Sequence, residues 1–121
     1  MNTDKLEKVI NNSFEQKEKI NPKSDKKVIK AINETIDLVD FGKIRVANKI
    51  DGSWVVNQWI KKAILLSFRV NKMTMSKGPY TTWYDKVPGK TVKWKEKDWK
   101  NAGYRHVPNG VVRRGSFIAK N

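Results

Sequence analysis

The side chains most selective in their chemistry are five arginines and a single histidine. Arg105 stands in Gly103-Tyr104-Arg105-His106-Val107-Pro108, and its guanidinium fork fits a carboxylate through two parallel hydrogen bonds that lysine cannot reproduce. Taken by itself it reads as a surface arginine on a strand. His106 invites a general-base role, because imidazole titrates near neutrality. Strand alternation turns it away from Arg105, so it reads as a solvated or packed histidine. Arg113 and Arg114 precede Gly115; they either orient this domain against a neighbour or form a solvated basic pair. Lys61 and Lys62 read as a solvated helix face. Trp83, Tyr84, Trp94 and Trp99 are interleaved with lysines, which is the pattern of a stacking platform for single-stranded nucleic acid. No RNA-binding aromatic motif or glycine-rich loop accompanies them. The chain has no GxSxG, P-loop, paired histidines or cysteine nucleophile, and nothing in the spacing of Glu15 and Glu18 points to a shared proton.

The elements that must position these residues are legible in the apolar periodicity. Leu6, Val9, Ile10 and Phe14 predict a helix over about residues 4–18, ended by Asn21-Pro22. Ser24 offers the next cap, with Asp25 placed against the positive helix end. Val28, Ile29, Ile32, Ile36 and Val39 form the stripe of a second helix, which Gly42 stops; the short link predicts an antiparallel pair. Asp51-Gly52 between alternating apolar residues predicts a type I′ hairpin. Ile44, Val46 and Asn48 share one face of its first strand, Trp54 and Val56 one face of its second. Asn57 caps a third helix with Trp59, Ile60, Ala63, Ile64 and Phe68 at helical spacing, and Trp54 and Trp59 are expected in the core. Val70 to Pro79 reads as a strand end and polar loop, with Gly78-Pro79 as turn punctuation. Glu96 to Asn101 reads as a short helix stopped by Gly103, Tyr104 to Val107 as a strand, and Val111-Val112 as the start of another. The fold class is α+β: two amino-terminal helices, a β-hairpin, a third amphipathic helix and a small, mainly antiparallel sheet.

The net charge is +14, yet lysines outnumber arginines 21 to 5. Lysine suits a solvated face, and lysine, asparagine and isoleucine share AT-rich codons, so this composition disfavours a nucleic-acid partner despite the charge. The charge is uneven: Met1–Phe68 carries a net +4 and Arg69–Asn121 a net +10. Without cysteine there are no disulfides or thiolate metal sites. No apolar run approaches the roughly 20 residues that cross a bilayer, and Met1–Val9 lacks a signal-peptide core. The expectation is a cytoplasmic protein with no membrane partner.

Four stretches carry a resemblance covering nearly the whole chain: SFEQKEKINPKS (Ser13–Ser24), KIRVANKIDGSWVVNQWIKKAILLSFR (Lys43–Arg69), WYDKVPGK (Trp83–Lys90) and GYRHVPNGVVRRGSFIAKN (Gly103–Asn121). Together they resemble the amino-terminal domain of tetrahydrodipicolinate N-succinyltransferase, the succinyl-CoA-dependent acyltransferase of diaminopimelate and lysine biosynthesis. The resemblance implies an amino-terminal substrate-side domain over residues 1–114, and the start of a left-handed parallel β-helix over 115–121. It implies that Arg105, at the family's Gly-Phe-Arg-Val-Val-Pro arginine, binds a carboxylate of the tetrahydrodipicolinate substrate. Tyr104 replaces a phenylalanine there, and His106 an aliphatic residue with no catalytic role. Arg113 matches a family arginine; Arg114 stands where glutamine is usual. The domain is expected to supply no catalytic residue and to bind no cofactor or metal. Succinyl-CoA is the co-substrate of the full enzyme, which is a homotrimer with active sites between subunits. The family's acidic and coenzyme A-binding residues lie in the β-helix and beyond, so the 121 residues alone are expected to be inactive. The aromatics of Trp83–Trp99 help build the cleft beside the β-helix and are expected to be partly exposed without it.

Overall fold

A computed structural model describes residues 2–120. Helix α1 spans Asp4–Glu15 and is followed by a short 3-10 turn, Lys17–Lys19; α2 spans Lys26–Asp40. Strands β1 (Ala47–Ile50) and β2 (Ser53–Val56) lead into α3 (Gln58–Val70). Strands β3 (Thr74–Lys77) and β4 (Thr82–Asp85) and helix α4 (Glu96–Ala102) complete the order. The fold is α+β, as the periodicity predicts, and the small antiparallel sheet is, among the described residues, two separate two-stranded hairpins.

The core sits where α1, α2 and α3 meet one another. Ile10, Ile32, Ile60 and Leu66 are fully buried there, with Ala31, Ala63, Trp59 and Val70 around them. Alanine at 31 and 63 lets the helices approach closely. Ser13, Thr35 and Ser67 are buried polar residues, and each hydroxyl donates back to a carbonyl of its own helix, to Val9, Ala31 and Ile64 at 2.6–2.8 Å, so none is left unsatisfied. Leu66 and Val70 extend the α3 stripe beyond the residues picked out by spacing, whereas Phe68 lies at its exposed margin.

Local signals set the ends of these elements. Asn21 and Ser24 bond each other across the turn, with Asn21 N–H donating to Ser24 Oγ at 2.9 Å. That occupies Ser24, and Asp25 becomes the cap of α2, its Oδ1 accepting from Lys27 N–H at 2.6 Å. At the other end Gly42 has φ +68. Gly42 N–H donates to Val39 O at 3.0 Å and Lys43 N–H to Leu38 O at 2.8 Å, the paired bonds of a Schellman stop.

The first hairpin turns at Asp51 and Gly52 with φ +47 and +82, the positive pair a type I′ turn requires. Its packing differs from expectation. Trp54, expected in the core, is 71% exposed. The hairpin projects from the helices, which cover only the approach residues Ile44 and Val46, so neither face of β2 meets another layer. Asn57 is the cap residue of α3, but its side chain makes no cap bond. Its Nδ2 donates to Arg45 O and Asn48 Oδ1, both at 2.7 Å, and sews the hairpin to the helix start.

Strand β3 falls within the Val70–Pro79 stretch that reads as a strand end and polar loop, and its partner β4 lies just beyond it, among the aromatics that begin at Tyr80. Gly78-Pro79 does mark a turn, closed by Gly78 N–H donating to Thr81 O at 2.9 Å. The flanking strands are exposed on both faces and show no apolar alternation to betray them. Conversely, Tyr104–Val107 is not a strand: no strand among the described residues pairs with it, and Pro108 interrupts it. Val112 joins the 88–90 loop through Lys90 N–H to Val112 O and Arg114 N–H to Pro88 O, both 2.9 Å, around one isolated bridge, Gly89 to Arg113.

Candidate functional site

The segment carrying Arg105 begins with α4. Lys95 N–H donates to Asp98 Oδ2 at 2.7 Å, which starts the helix, and Gly103 at φ +69 ends it, its N–H on Trp99 O at 3.1 Å. The chain then leaves over the indole of Trp99. Tyr104 lies 5.8 Å from that ring at 76°, His106 lies 5.7 Å from it at 45°, and Trp94 closes edge-on at 4.9 Å. His106 is therefore a packed histidine. Trp94 and Trp99 are half-buried in this cluster, whereas Tyr80, Trp83 and Tyr84 lie exposed on and beside the β3–β4 hairpin.

Arg105, between Tyr104 and His106, is exposed. Each of the other four arginines has a partner. Arg45 lies over the Phe117 ring at 5.6 Å, and Arg69 pairs with Glu18 at 3.2 Å. Arg113 pairs with Asp85 through Nη2 and through Nε at 3.1 Å; that guanidinium holds the Asp85 carboxyl below the usual carboxylate range. Arg114 reaches Asp37 Oδ1 at 2.5 Å and the Asn33 carbonyl and side chain at 3.2 Å. Among the described residues, no hydrogen bond or ion pair engages the Arg105 side chain. Arg113 and Arg114 are thus tied within the chain and are not a solvated pair. Lys62 is not purely solvated either, since its Nζ donates to Asn11 Oδ1 at 2.8 Å.

Beneath this segment lies a polar junction that the sequence did not announce. Lys90 Nζ meets Asp40 Oδ2 at 2.8 Å and the Asp40 carbonyl at 2.9 Å, with the two side chains only 8% and 13% exposed. The other carboxylate oxygen accepts Gly115 N–H at 2.7 Å. One signal was present: Asp37 and Asp40 sit in the last turn of α2, against the negative end of the helix dipole, where an acid needs a cation. Lys90 and Arg114 are those cations. Asp40 also bears on Tyr104, whose phenol is pushed up by burial first and by the Asp40 charge second. Tyr104 Oη and His106 Nε2 are buried with no partner among the described residues.

A cleft of about 180 Å³ opens between α2, α3 and residues 113–115, floored by Ile36, Val39 and Ile64 and rimmed by Arg113 and Arg114. Arg105 does not line it. The expected β-helix start at 115–121 is described only to Lys120, Asn121 lying outside the described residues. Residues 115–120 fold back on the domain: the Phe117 ring covers Gly42 and Lys120 covers Gly103. No group of three histidines, cysteines or carboxylates that could hold a metal occurs among the described residues, and no helix is long and apolar enough to cross a membrane.

A three-helix core, two antiparallel hairpins and an exposed Arg105 that no described residue engages make up an α+β domain. Residues 5–70 match the family described as tetrahydrodipicolinate N-succinyltransferase N-terminal. The chain is 54% identical over 119 residues to the 2,3,4,5-tetrahydropyridine-2,6-dicarboxylate N-succinyltransferase of Pelagibacter ubique, a match covering 96% of this chain and 43% of that protein. It is 48% identical to the enzyme of the same name from Agrobacterium fabrum, over 96% of this chain and 42% of that protein. With that of Nitrosomonas europaea it shares 44% identity, over 98% and 44%. The chain therefore belongs to the tetrahydrodipicolinate N-succinyltransferase amino-terminal domain family, and it spans less than half the length of these relatives.

Proposed function

We propose that this chain is the substrate-side domain of a succinyl-CoA-dependent tetrahydrodipicolinate N-succinyltransferase of the diaminopimelate route to lysine, and that Arg105 grips one carboxylate of the acceptor. The observation that carries this reading is the exposed Arg105 guanidinium, which no described residue engages by hydrogen bond or ion pair. Among the described residues three arginines are paired with acids and Arg45 lies over the Phe117 ring, whereas the exposed Arg105 has neither kind of partner, and a carboxylate can take two of its donors at once. The net +10 of residues 69–121 favours a dianionic acceptor and an anionic acyl-CoA alike. Thioester binding and proton handling are assigned to the part of the relatives' length that the 121 residues do not span. The complete protein is read as a cytoplasmic homotrimer with active sites between subunits.

Calorimetric titration with pyridine-2,6-dicarboxylate, a stable planar analogue of the acceptor, tests the carboxylate grip. Binding to the wild-type chain that falls at least about tenfold in Arg105→Ala, with Arg105→Lys recovering little of it, is the expected result. Equal binding by all three refutes the role. Succinyl-CoA turnover by these 121 residues alone would refute the assignment of catalysis elsewhere. The exposed Tyr80, Trp83 and Tyr84 favour a second reading, a basic nucleic-acid-binding module. Its signature is affinity for single-stranded RNA or DNA that falls steeply with salt.

A further inference from the structure

We infer that Trp99 is the positioning residue for Arg105, an inference that rests on the carboxylate-holding role proposed above. Residues 104–106 belong to no strand, and none of their amides donates in a described backbone bond. No ladder holds Arg105 in place. The Trp99 indole is the contact both neighbours share: Tyr104 meets it edge-on at 5.8 Å and His106 lies tilted on it at 5.7 Å, with Trp94 a further 6.1 Å contact of Tyr104, and both carry their polar atoms into the interior. With the residues on either side turned inward, Arg105 between them is left exposed. The indole is itself fixed from behind by Trp94 at 4.9 Å and by the α4 stop, where Gly103 N–H bonds Trp99 O at 3.1 Å. His106 is fixed from below by the 107–110 turn: a Cβ on Gly110 would lie 2.9 Å from the imidazole.

The functional consequence is preorganisation. A guanidinium on a loose backbone loses conformers when it binds; one on a fixed backbone has lost them already. Trp99 touches no substrate in this scheme. It makes the outward pose of Arg105 the resting state of the loop.

Nitrogen-15 relaxation on the 121-residue chain reads this directly. In the wild type the Arg105 amide is expected to be as rigid as the helices, with an order parameter of about 0.85; in Trp99→Leu it is expected to fall below about 0.6 while α1–α3 stay unchanged. Trp99→Phe, which keeps a ring for both neighbours, is expected to restore most of the order. Should Trp99→Leu not fold, His106→Ala removes one of the two pins and is expected to loosen Arg105 partway. An Arg105 amide that stays rigid in Trp99→Leu, or in His106→Ala where that is the variant available, overturns the inference.

Titration with pyridine-2,6-dicarboxylate separates this from the proposed function. Weakening by about 3- to 10-fold in Trp99→Leu, by at least about tenfold in Arg105→Ala, and by no more in the double variant than in Arg105→Ala alone is expected when one residue acts through the other. Loss of Arg105 order together with dicarboxylate affinity indifferent to Arg105→Ala would overturn the carboxylate role and leave the positioning intact.

Discussion

Replacing Tyr104 by phenylalanine removes a hydroxyl that has no partner. The Oη atom is buried and unbonded among the described residues, at a position where the rest of the ring packs on Trp94 and Trp99 at 6.1 and 5.8 Å. A buried polar group left unsatisfied costs about 1–3 kcal/mol, and deleting it with shape retained is neutral or stabilising. Because the residue as a whole is only half-buried, the lower end applies, so Tyr104→Phe should stabilise by about 1 kcal/mol, or roughly 4 °C in Tm for a domain of this size. A second readout has an independent cause. Burial, and then the Asp40 charge, push the phenol above its ordinary value, so the folded chain holds the proton more tightly than the unfolded one. Below pH about 10 both states are protonated; above it the unfolded chain ionises first and stability falls. The gap between Tyr104→Phe and wild type should therefore widen as pH rises past about 10. Urea unfolding at pH 7 and across pH 9–11 measures both. A variant less stable than wild type at pH 7, by 1 kcal/mol or more, would show that the hydroxyl is satisfied and refute the reasoning.

Trp59→Ala should cost about 3–5 kcal/mol, a large share of a domain's total stability, since the side chain lies in the core where the three helices meet; the urea midpoint measures it. Lys90→Met strands the buried Asp40 carboxylate and should cost about 3–5 kcal/mol, while Lys90→Met with Asp40→Asn should recover much of the loss; a double variant no better than the single one would sink the pairing. Gly42→Ala and Gly52→Ala both force a side chain into positive φ, but an added Cβ at 42 would lie 2.7 Å from the Phe117 ring whereas the one at 52 meets nothing. The first should cost about 1 kcal/mol or more beyond the second, which carries only left-handed strain of about 1–2 kcal/mol; equal losses would mean that Phe117 does not rest on Gly42.

What could be read from the chain was whatever its neighbours in sequence decide. The type I′ turn at Asp51-Gly52, the glycine stops at 42 and 103 and the stripes of α1–α3 are settled within a few residues, and the structure has them. Trp54 failed because strand alternation says which residues share a face but not whether another layer covers that face. The β3–β4 hairpin failed because both of its faces are wet. The strand expected at Tyr104–Val107 failed for want of a second strand to pair with. The partners of Arg113, Arg114 and Lys90 are set across 28 to 81 positions of sequence, a separation at which spacing carries no information.

The uneven charge follows from those long-range pairings in part. Helix α2 ends on Asp37 and Asp40 with no basic residue in its last turn, an arrangement that opposes its own dipole. The cations that correct it, Lys90 and Arg114, come from the basic half of the chain and arrive together with Gly115 N–H. Some of the net +10 of residues 69–121 is therefore structural, spent on fastening the second half of the chain to the helices. Arg105 is the arginine that neither an acid nor an aromatic ring of the described residues engages. Its neighbours are pinned to Trp99, its side chain faces solvent, and no carboxylate of the described chain has been brought to it. Among the described residues the fold supplies acids to Arg69, Arg113 and Arg114 and seats Arg45 over Phe117, and it gives Arg105 neither, which leaves the Arg105 guanidinium open to an acid from outside.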